Sequence, residues 1–248
     1  YFSELFASRQ LPVPKVLAVS DDRLCYLQED LGDTSLCSEI AKFGAQSDLV
    51  NSAFERLIEL LPKFQYGYSA ELDASKCYPR RAMDTRAVMW DLNYFKYSFI
   101  KATGIDFDED QLEDEFEILA AEIVKNPNST LLLRDFQSRN VMVQNDDLYV
   151  IDFQGIRMGE GLYDVASLLW QARAGLTDEQ RIRYAQLYQK AVEATIGKPI
   201  ENFSQRLTLM VLFRLLQVLG AYGFRGLFER KAIFLEVIPL AVASLGKT

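Results

Sequence analysis

The chain has 248 residues, 49% of them hydrophobic, enough to bury a substantial core in one large domain or two unequal lobes. Its 27 basic and 35 acidic residues leave a net charge of −8, which argues against nucleic acid as a partner, because a phosphate-backbone surface needs the opposite balance. Histidine is absent, which removes Ser-His-Asp and Cys-His hydrolases, His-ligated metal enzymes and imidazole general bases, and leaves the chemistry to carboxylates.

Residues 2–9 read as the end of a helix, broken by Pro12 and Pro14, which favour extended backbone. Residues 15–20 and 24–29 are apolar runs around Asp21-Asp22-Arg23 and predict a hairpin. After Gly32 the pattern turns helical. Residues 48–64 carry Leu49, Phe54, Leu57, Leu60 and Leu61 at helical spacing, and 87–102 form a second helix rich in aromatics, with the polar, irregular stretch 65–86 between them. Residues 108–125 are amphipathic, with Leu112, Phe116, Leu119 and Ile123 on one face and acidic first turns, and Asn126-Pro127-Asn128 ends this helix. Short strands are expected at 130–134, 141–144 and 148–151, the last two joined by Asn145-Asp146-Asp147 as a tight hairpin. From Gly161 only helices are expected, at about 162–174, 178–196, 203–224 and 227–245.

The most apolar stretch, 207–213, runs into Arg214 and Gln217 well short of the about 20 residues that a membrane span takes, and no signal-peptide pattern opens the chain. Cys25, Cys37 and Cys77 are odd in number and lack metal-ligand spacing. Reduced thiols in a cytoplasmic protein, with no membrane partner, are therefore expected. A small strand-containing start, a central hairpin and a helical remainder make an α+β architecture.

The informative stretch runs from Leu131 to Val143 and from Tyr149 to Gly155, because it sets Asp135, Asn140 and Asp152 among apolar strand residues. A carboxylate beside buried hydrophobics is expensive unless something pairs with it, and an ion is the simplest partner. Asp135 and Asn140 sit at two ends of one short loop and Asp152 closes the hairpin that follows, so all three can converge on one pocket. Asp and Asn also bond local backbone in ordinary turns; the joint spacing favours a site.

This spacing resembles the protein kinase catalytic loop, in which Arg-Asp and an Asn five residues later precede a hairpin ending in Asp-Phe-Gly. Here the loop reads Arg134-Asp135 then Asn140, with Leu133 in place of the usual His, and the metal signature reads Asp152-Phe153-Gln154-Gly155. The chain is more closely similar to the aminoglycoside phosphotransferase and choline kinase superfamily, and within it to the bacterial kinases of the anomeric hydroxyl of N-acetylmuramate and N-acetylglucosamine. Pro12-Val13-Pro14-Lys15-Val16-Leu17 resembles a strand of that superfamily, and Leu27-Gln28-Glu29-Asp30-Leu31-Gly32-Asp33 its inter-lobe hinge. Trp90-Asp91-Leu92-Asn93-Tyr94-Phe95, Asp135-Phe136-Gln137-Ser138-Arg139-Asn140 and Asp152-Phe153-Gln154 resemble the sugar-kinase branch, and the segment Tyr163-Asp164-Val165-Ala166-Ser167 resembles the helix whose Asp braces the catalytic loop.

The resemblance implies a protein-kinase-like two-lobed fold, with residues 1–33 as a remnant of the nucleotide-binding lobe and hinge and 34–248 as a large helical lobe. The glycine-rich hairpin and strand lysine of complete members are expected upstream of Tyr1; Glu4 or an upstream glutamate would pair that lysine. It further implies ATP and magnesium as cofactors and a small-molecule acceptor: Asp135 as the catalytic carboxylate, Asn140 and Asp152 as metal ligands, and Glu29, Asp30 and Leu31 at the adenine. Asp91, Asn93, Arg139 and Gln154 would meet the acceptor, and Asp164 would act as brace. By residue type alone, Asp164 reads equally as a carboxylate on a helix dipole, Arg139 as a surface arginine, Asp91 and Asn93 as a solvated face, and Trp90, Tyr94 and Phe95 as core. The expected activity is transfer of the ATP γ-phosphoryl group to a hydroxyl of an amino sugar or other sugar, with aminoglycosides, choline-like alcohols, or a binding module without turnover as alternatives.

Overall fold

The computed structural model describes residues 1–68, 72–125 and 130–248. Helix α1 (Phe2–Ser8) precedes the strands β1 (Val16–Val19) and β2 (Tyr26–Gln28), followed by helices α2 (Leu36–Phe43), α3 (Asp48–Gln65) and α4 (Thr85–Phe95). After a π turn over Lys96–Ile100 come α5 (Lys101–Thr103), α6 (Glu109–Val124), strands β3 (Thr130–Leu132), β4 (Val141–Gln144), β5 (Asp147–Val150) and β6 (Arg157–Gly159), then α7 (Leu162–Leu169) and α8 (Asp178–Ile196). Helix α9 (Phe203–Gly223), α10 (Ala232–Leu235) and α11 (Ile238–Leu245) complete the chain.

Polar caps start the helices where the sequence offers them. Ser47, Asp84 and Asp108 each accept a backbone N–H in the first turns of α3, α4 and α6, and Thr177 with Gln180 forms a reciprocal capping box on α8. Three antiparallel ribbons carry all the named strands: β1 with β2, β4 with β5, and β3 with β6. Asn145 and Asp146 both adopt positive φ, 52° and 65°, the backbone that a two-residue type I′ hairpin between β4 and β5 demands. That hairpin is tied down along both edges, since the Val150 N–H donates to the Pro12 carbonyl and the Val143 N–H to the Thr34 carbonyl, each at 2.8 Å.

A single hydrophobic core runs through the molecule, and Phe6, Leu11 and Val13 from the start of the chain belong to it. Phe6 packs edge-on against Phe64 and Phe153, which joins α1 to α3 and to the turn after β5. Helices α4 and α9 approach closely because α9 carries glycine at the crossing: a Cβ on Gly220 would stand 2.9 Å from the Phe95 nitrogen, and one on Gly223 would overlap the Ser98 carbonyl. Lys96, buried at the start of the π turn, ion-pairs with Glu109 and Glu113 and so fastens α4 to α6.

Several elements differ from the sequence-based expectation. The strand expected at 130–134 stops at Leu132, because Arg134 takes a positive φ of 70° that no strand accommodates. The helix expected at 162–174 ends at Leu169, and the one expected at 227–245 is a π turn over Phe224–Phe228 followed by the two short helices α10 and α11. Strand β6 was not anticipated, and Trp90, expected in the core, is 52% exposed with the Arg80 guanidinium 5.2 Å from its ring centroid. Asn126-Pro127-Asn128 lie outside the described residues. The continuous helix Phe203–Phe228 is long and apolar enough to cross a membrane by length and composition; here its buried residues, Arg214 among them, face α4, α7 and α11.

The α4–α9 crossing yields a stability test. Gly223→Ala forces its new methyl into the Ser98 carbonyl and is expected to cost about 1–3 kcal/mol, or roughly 3–10 °C in Tm. Gly246→Ala, whose Cβ would meet nothing nearer than 3.7 Å, should melt like the wild type in the same thermal scan.

Candidate active site

The site is built on the stretch between β3 and β4, which is neither helix nor strand at Leu133 and Arg134 and must find partners for its backbone elsewhere. Asp164, on the first turn of α7 and fully buried, supplies them: Oδ2 accepts from the Leu133 N–H and Oδ1 from the Arg134 N–H, both at 2.8 Å. The Gln65 amide, at the end of α3, donates to the same Oδ2 at 2.9 Å and to the Gly161 carbonyl, while its oxygen accepts from the Tyr188 hydroxyl of α8. Burial pushes the Asp164 carboxyl up to about 6, against the three hydrogen bonds, which pull it down. Ser167 adds a contact from its hydroxyl to the Arg134 carbonyl, and Gln171 accepts from both the backbone and hydroxyl of Ser138.

With the loop so held, Asp135, Asn140 and Asp152 come together. The Asn140 amide nitrogen donates to the Asp135 carbonyl at 2.9 Å and lies 3.4 Å from Asp152 Oδ2. Its amide oxygen is thereby left to face a different partner. The Ile151 N–H donates to the Asn140 carbonyl, closing the base of the β4–β5 hairpin, and Asp152 then turns through a positive φ of 58°. Two hard oxygen donors from protein, with the rest from phosphates and water, is the donor set that magnesium usually takes. Among the described residues no cluster of three or more Cys, Asp or Glu side chains could form an all-protein cage.

Around this triad the structure gathers arginines. Arg134 makes a two-pronged ion pair with Asp91 of α4, at 2.9 and 3.2 Å, and Arg214 of α9 reaches to 3.8 Å from Asp135 Oδ1. Arg157 of β6, also buried, donates to the Gly155 carbonyl. Burial pushes the Asp91 carboxyl up, opposed by Arg134, Arg157 and Arg214. Asp91 is therefore committed to Arg134 and the loop after β3 rather than standing on a solvated face. Asn93, two residues on, projects about 200° around the helix from Asp91 at 3.6 residues per turn, so the structure does not bring these two to one side. Arg139, in the 3-10 turn Ser138–Asn140, and Gln154, beside Asp152, are both exposed. In the segment expected to be the hinge, Leu31 is buried, the Glu29 N–H donates to the Lys15 carbonyl, and the Asp30 carboxylate accepts from the Gly32 N–H. Glu4 is exposed on α1.

Gln65, Tyr188, Arg157 and Arg214 escaped the sequence reading. Gln65 lay at the edge of a stretch read as irregular, and Arg214 read as an interruption of an apolar run. The one signal available for both was a polar residue placed where the helical period demands an apolar one.

The sequence profile of the Phosphotransferase enzyme family matches residues 2–198, and the chain belongs to that family. No curated protein matches it by sequence. Among solved structures it is similar to the ethanolamine kinase of Plasmodium vivax, with 12% identity and a TM-score of 0.61 over 98% of this chain and 69% of that one. It is similar also to the choline kinase LicA of Streptococcus pneumoniae, with 13% identity and a TM-score of 0.58 over 99% and 78% of the two chains. A third is the ADP-bound aminoglycoside phosphotransferase APH(2'')-Ib, with 16% identity and a TM-score of 0.56 over 98% and 80%. The fold is thus kinase-like, and the family makes the protein a phosphotransferase.

Asp164 faces three N–H donors, so Asp164→Asn would set its own NH2 against at least one of them; the expected cost is about 2–4 kcal/mol, or roughly 5–15 °C in Tm. Its pH dependence has a definite sign. The folded carboxyl titrates near 6 against 3.8 ordinarily, so the folded state holds a proton that the unfolded state releases, and wild-type stability gains as pH falls from above 6 toward 3.8. Asparagine lacks this gain, so the gap between the two proteins should widen by up to about 1.4 kcal/mol per pH unit over that window. Urea melts at pH 7.5 and 4.5 measure it, and an unchanged gap would mean that Asp164 does not titrate there.

Proposed function

We propose that this phosphotransferase moves the γ-phosphoryl group of ATP to a hydroxyl of a sugar or amino sugar of the N-acetylmuramate or N-acetylglucosamine kind. The observation that carries the reading is the convergence of Asp135, Asn140 and Asp152, linked through the Asn140 amide at 2.9 and 3.4 Å. In this reading Asp135 orients the acceptor hydroxyl and takes its proton, in a reaction where positioning and electrostatics supply the catalysis. Asn140 and Asp152 would hold magnesium, which when bound neutralises charge on the nucleotide phosphates. Backbone groups of Glu29, Asp30 and Leu31 would meet the adenine.

The sugar acceptor rests on the likeness of residues 90–95 and 135–140 to sugar kinases; ethanolamine, choline and aminoglycosides, named for the similar structures, are the competing set. Asp91 is bound to Arg134 and Asn93 points elsewhere, so Arg139 and Gln154, exposed beside the triad, are the side chains best placed to meet an acceptor.

Two substitutions separate the roles. Asp135→Asn should lower kcat by at least about a hundredfold while MgATP affinity stays within about twofold, because the carboxylate acts on the acceptor in the transition state. Near-normal turnover on the acceptor that the wild type prefers, from a panel of N-acetylglucosamine, N-acetylmuramate, choline, ethanolamine and kanamycin, would remove Asp135 from that role. Asp152→Ala should abolish the magnesium dependence of nucleotide binding in calorimetry, and an unaltered MgATP isotherm would move the metal elsewhere.

A further inference from the structure

We propose that Arg214, on α9, is a positioning residue for the phosphotransfer: it holds Asp135 by Oδ1 and leaves Oδ2 to the acceptor hydroxyl. The inference rests on the reading of Asp135 given above. The family match ends at residue 198, so nothing in that match assigns a role to α9 or to any residue on it.

Arg214 is 3% exposed, and a guanidinium taken so far out of water needs both hydrogen bonds and a counter-charge. Its Nη1 donates to the Tyr163 hydroxyl at 2.8 Å and to the Gln217 side-chain oxygen at 2.9 Å, and its centre lies 5.3 Å from the Tyr163 ring centroid. All of these partners are neutral; burial keeps the Tyr163 phenol protonated by pushing its titration up. Three carboxylates reach Arg214 with their charge: Asp91, Asp135 and Asp164. Asp91 already carries the two-pronged pair with Arg134 and Asp164 spends its oxygens on three N–H donors, which leaves Asp135, whose Oδ1 lies 3.8 Å from Nη2, as the ion-pair partner of Arg214.

The geometry divides the two oxygens of Asp135. Oδ1 faces α9, whereas Oδ2 faces Gly155 of the turn after Asp152, where a built Cβ would stand 3.8 Å away. The oxygen turned toward the metal-side turn is the one placed to meet a hydroxyl aligned with a transferring phosphoryl group. Arg214 is itself held in register, because its partner Tyr163 adjoins Asp164, which fixes the catalytic backbone, and because Gly220 and Gly223 seat α9 against α4.

The test compares Arg214→Met with Arg214→Lys in the full chain, on whichever acceptor of the panel above the wild type phosphorylates fastest. Methionine should lower kcat by about 10- to 100-fold with KM for ATP within about twofold, and lysine, which restores the charge, should recover at least half of that loss on a logarithmic scale. Equal loss in both variants, or a KM for ATP that rises with the loss, would make the role purely structural and overturn the proposal. In an Asp135→Asn background Arg214→Met should add less than about twofold, since it acts through Asp135; a further tenfold drop would show that it acts independently. A crystal structure of Arg214→Gln, which removes the charge but keeps a polar side chain, needs no acceptor and covers the case in which the methionine protein does not fold: Asp135 should turn or shift there relative to the wild type, and an unmoved carboxylate overturns the proposal. An active Asp135→Asn protein is a separate result, which removes the reading underneath.

Discussion

The site depends on one buried carboxylate. Where β3 ends, the backbone at Leu133 and Arg134 leaves the sheet and takes a conformation unfavourable for a non-glycine residue, and its two N–H groups would be stranded in the core without Asp164. Burying that carboxylate is itself costly, as its upward-shifted titration attests, and three N–H donors on its two oxygens offset the cost. Gln65 and Tyr188 extend the arrangement into α3 and α8. Three helices thus converge on a single pair of peptide bonds, and the side chains of Arg134 and Asp135 leave that fixed backbone in set directions.

Those directions bring charge together in a balance that the whole molecule lacks. The chain carries a net −8, yet behind the loop Arg134, Arg157 and Arg214 meet Asp91, Asp135 and Asp164. For Arg157, burial first and the nearby Arg134 second pull its titration down, against Asp91 and Asp135. Net charge is therefore a poor guide to what this site would attract, because buried groups a few ångströms away are screened far less than the surface acids that dominate the total. An overall acidic surface gives no support here to a cationic acceptor.

What could be read from the sequence follows the range of the interactions involved. The β4–β5 hairpin and the spacing of Asp135, Asn140 and Asp152 are local, set by turn chemistry within some twenty residues, and the structure has the hairpin where Asn145 and Asp146 put it. Helices α3, α6 and α8 carry both a period and a cap, and lie within a residue or two of their expected bounds. Strand β6 has three residues, too few to show a period, and exists because β3 on one side and residues 81–83 on the other pair with it. Asp164 was evenly divided between a dipole carboxylate and a brace, since a first-turn position is the same in both; only the partners 30 and 31 residues upstream decide it. Gly220 and Gly223 are small because α9 crosses α4 there, a long-range demand that no local pattern announces.

The two proposed metal ligands illustrate how a local element and the tertiary brace divide the labour. Asn140 precedes β4 and Asp152 follows β5, so their separation is set at the closed base of one hairpin by the Ile151 to Asn140 hydrogen bond, whatever happens at its tip. Asp135 belongs to neither strand, and its distance from that base is fixed by the Asn140 amide on one side and by the Asp164-held backbone on the other. A disturbance of the hairpin would therefore move both metal ligands together, whereas a disturbance of α7 or α9 would move Asp135 relative to them. In the proposed mechanism only the second kind would alter the alignment between hydroxyl and phosphoryl group, so the geometry that would govern turnover lies in the helices packed behind the loop.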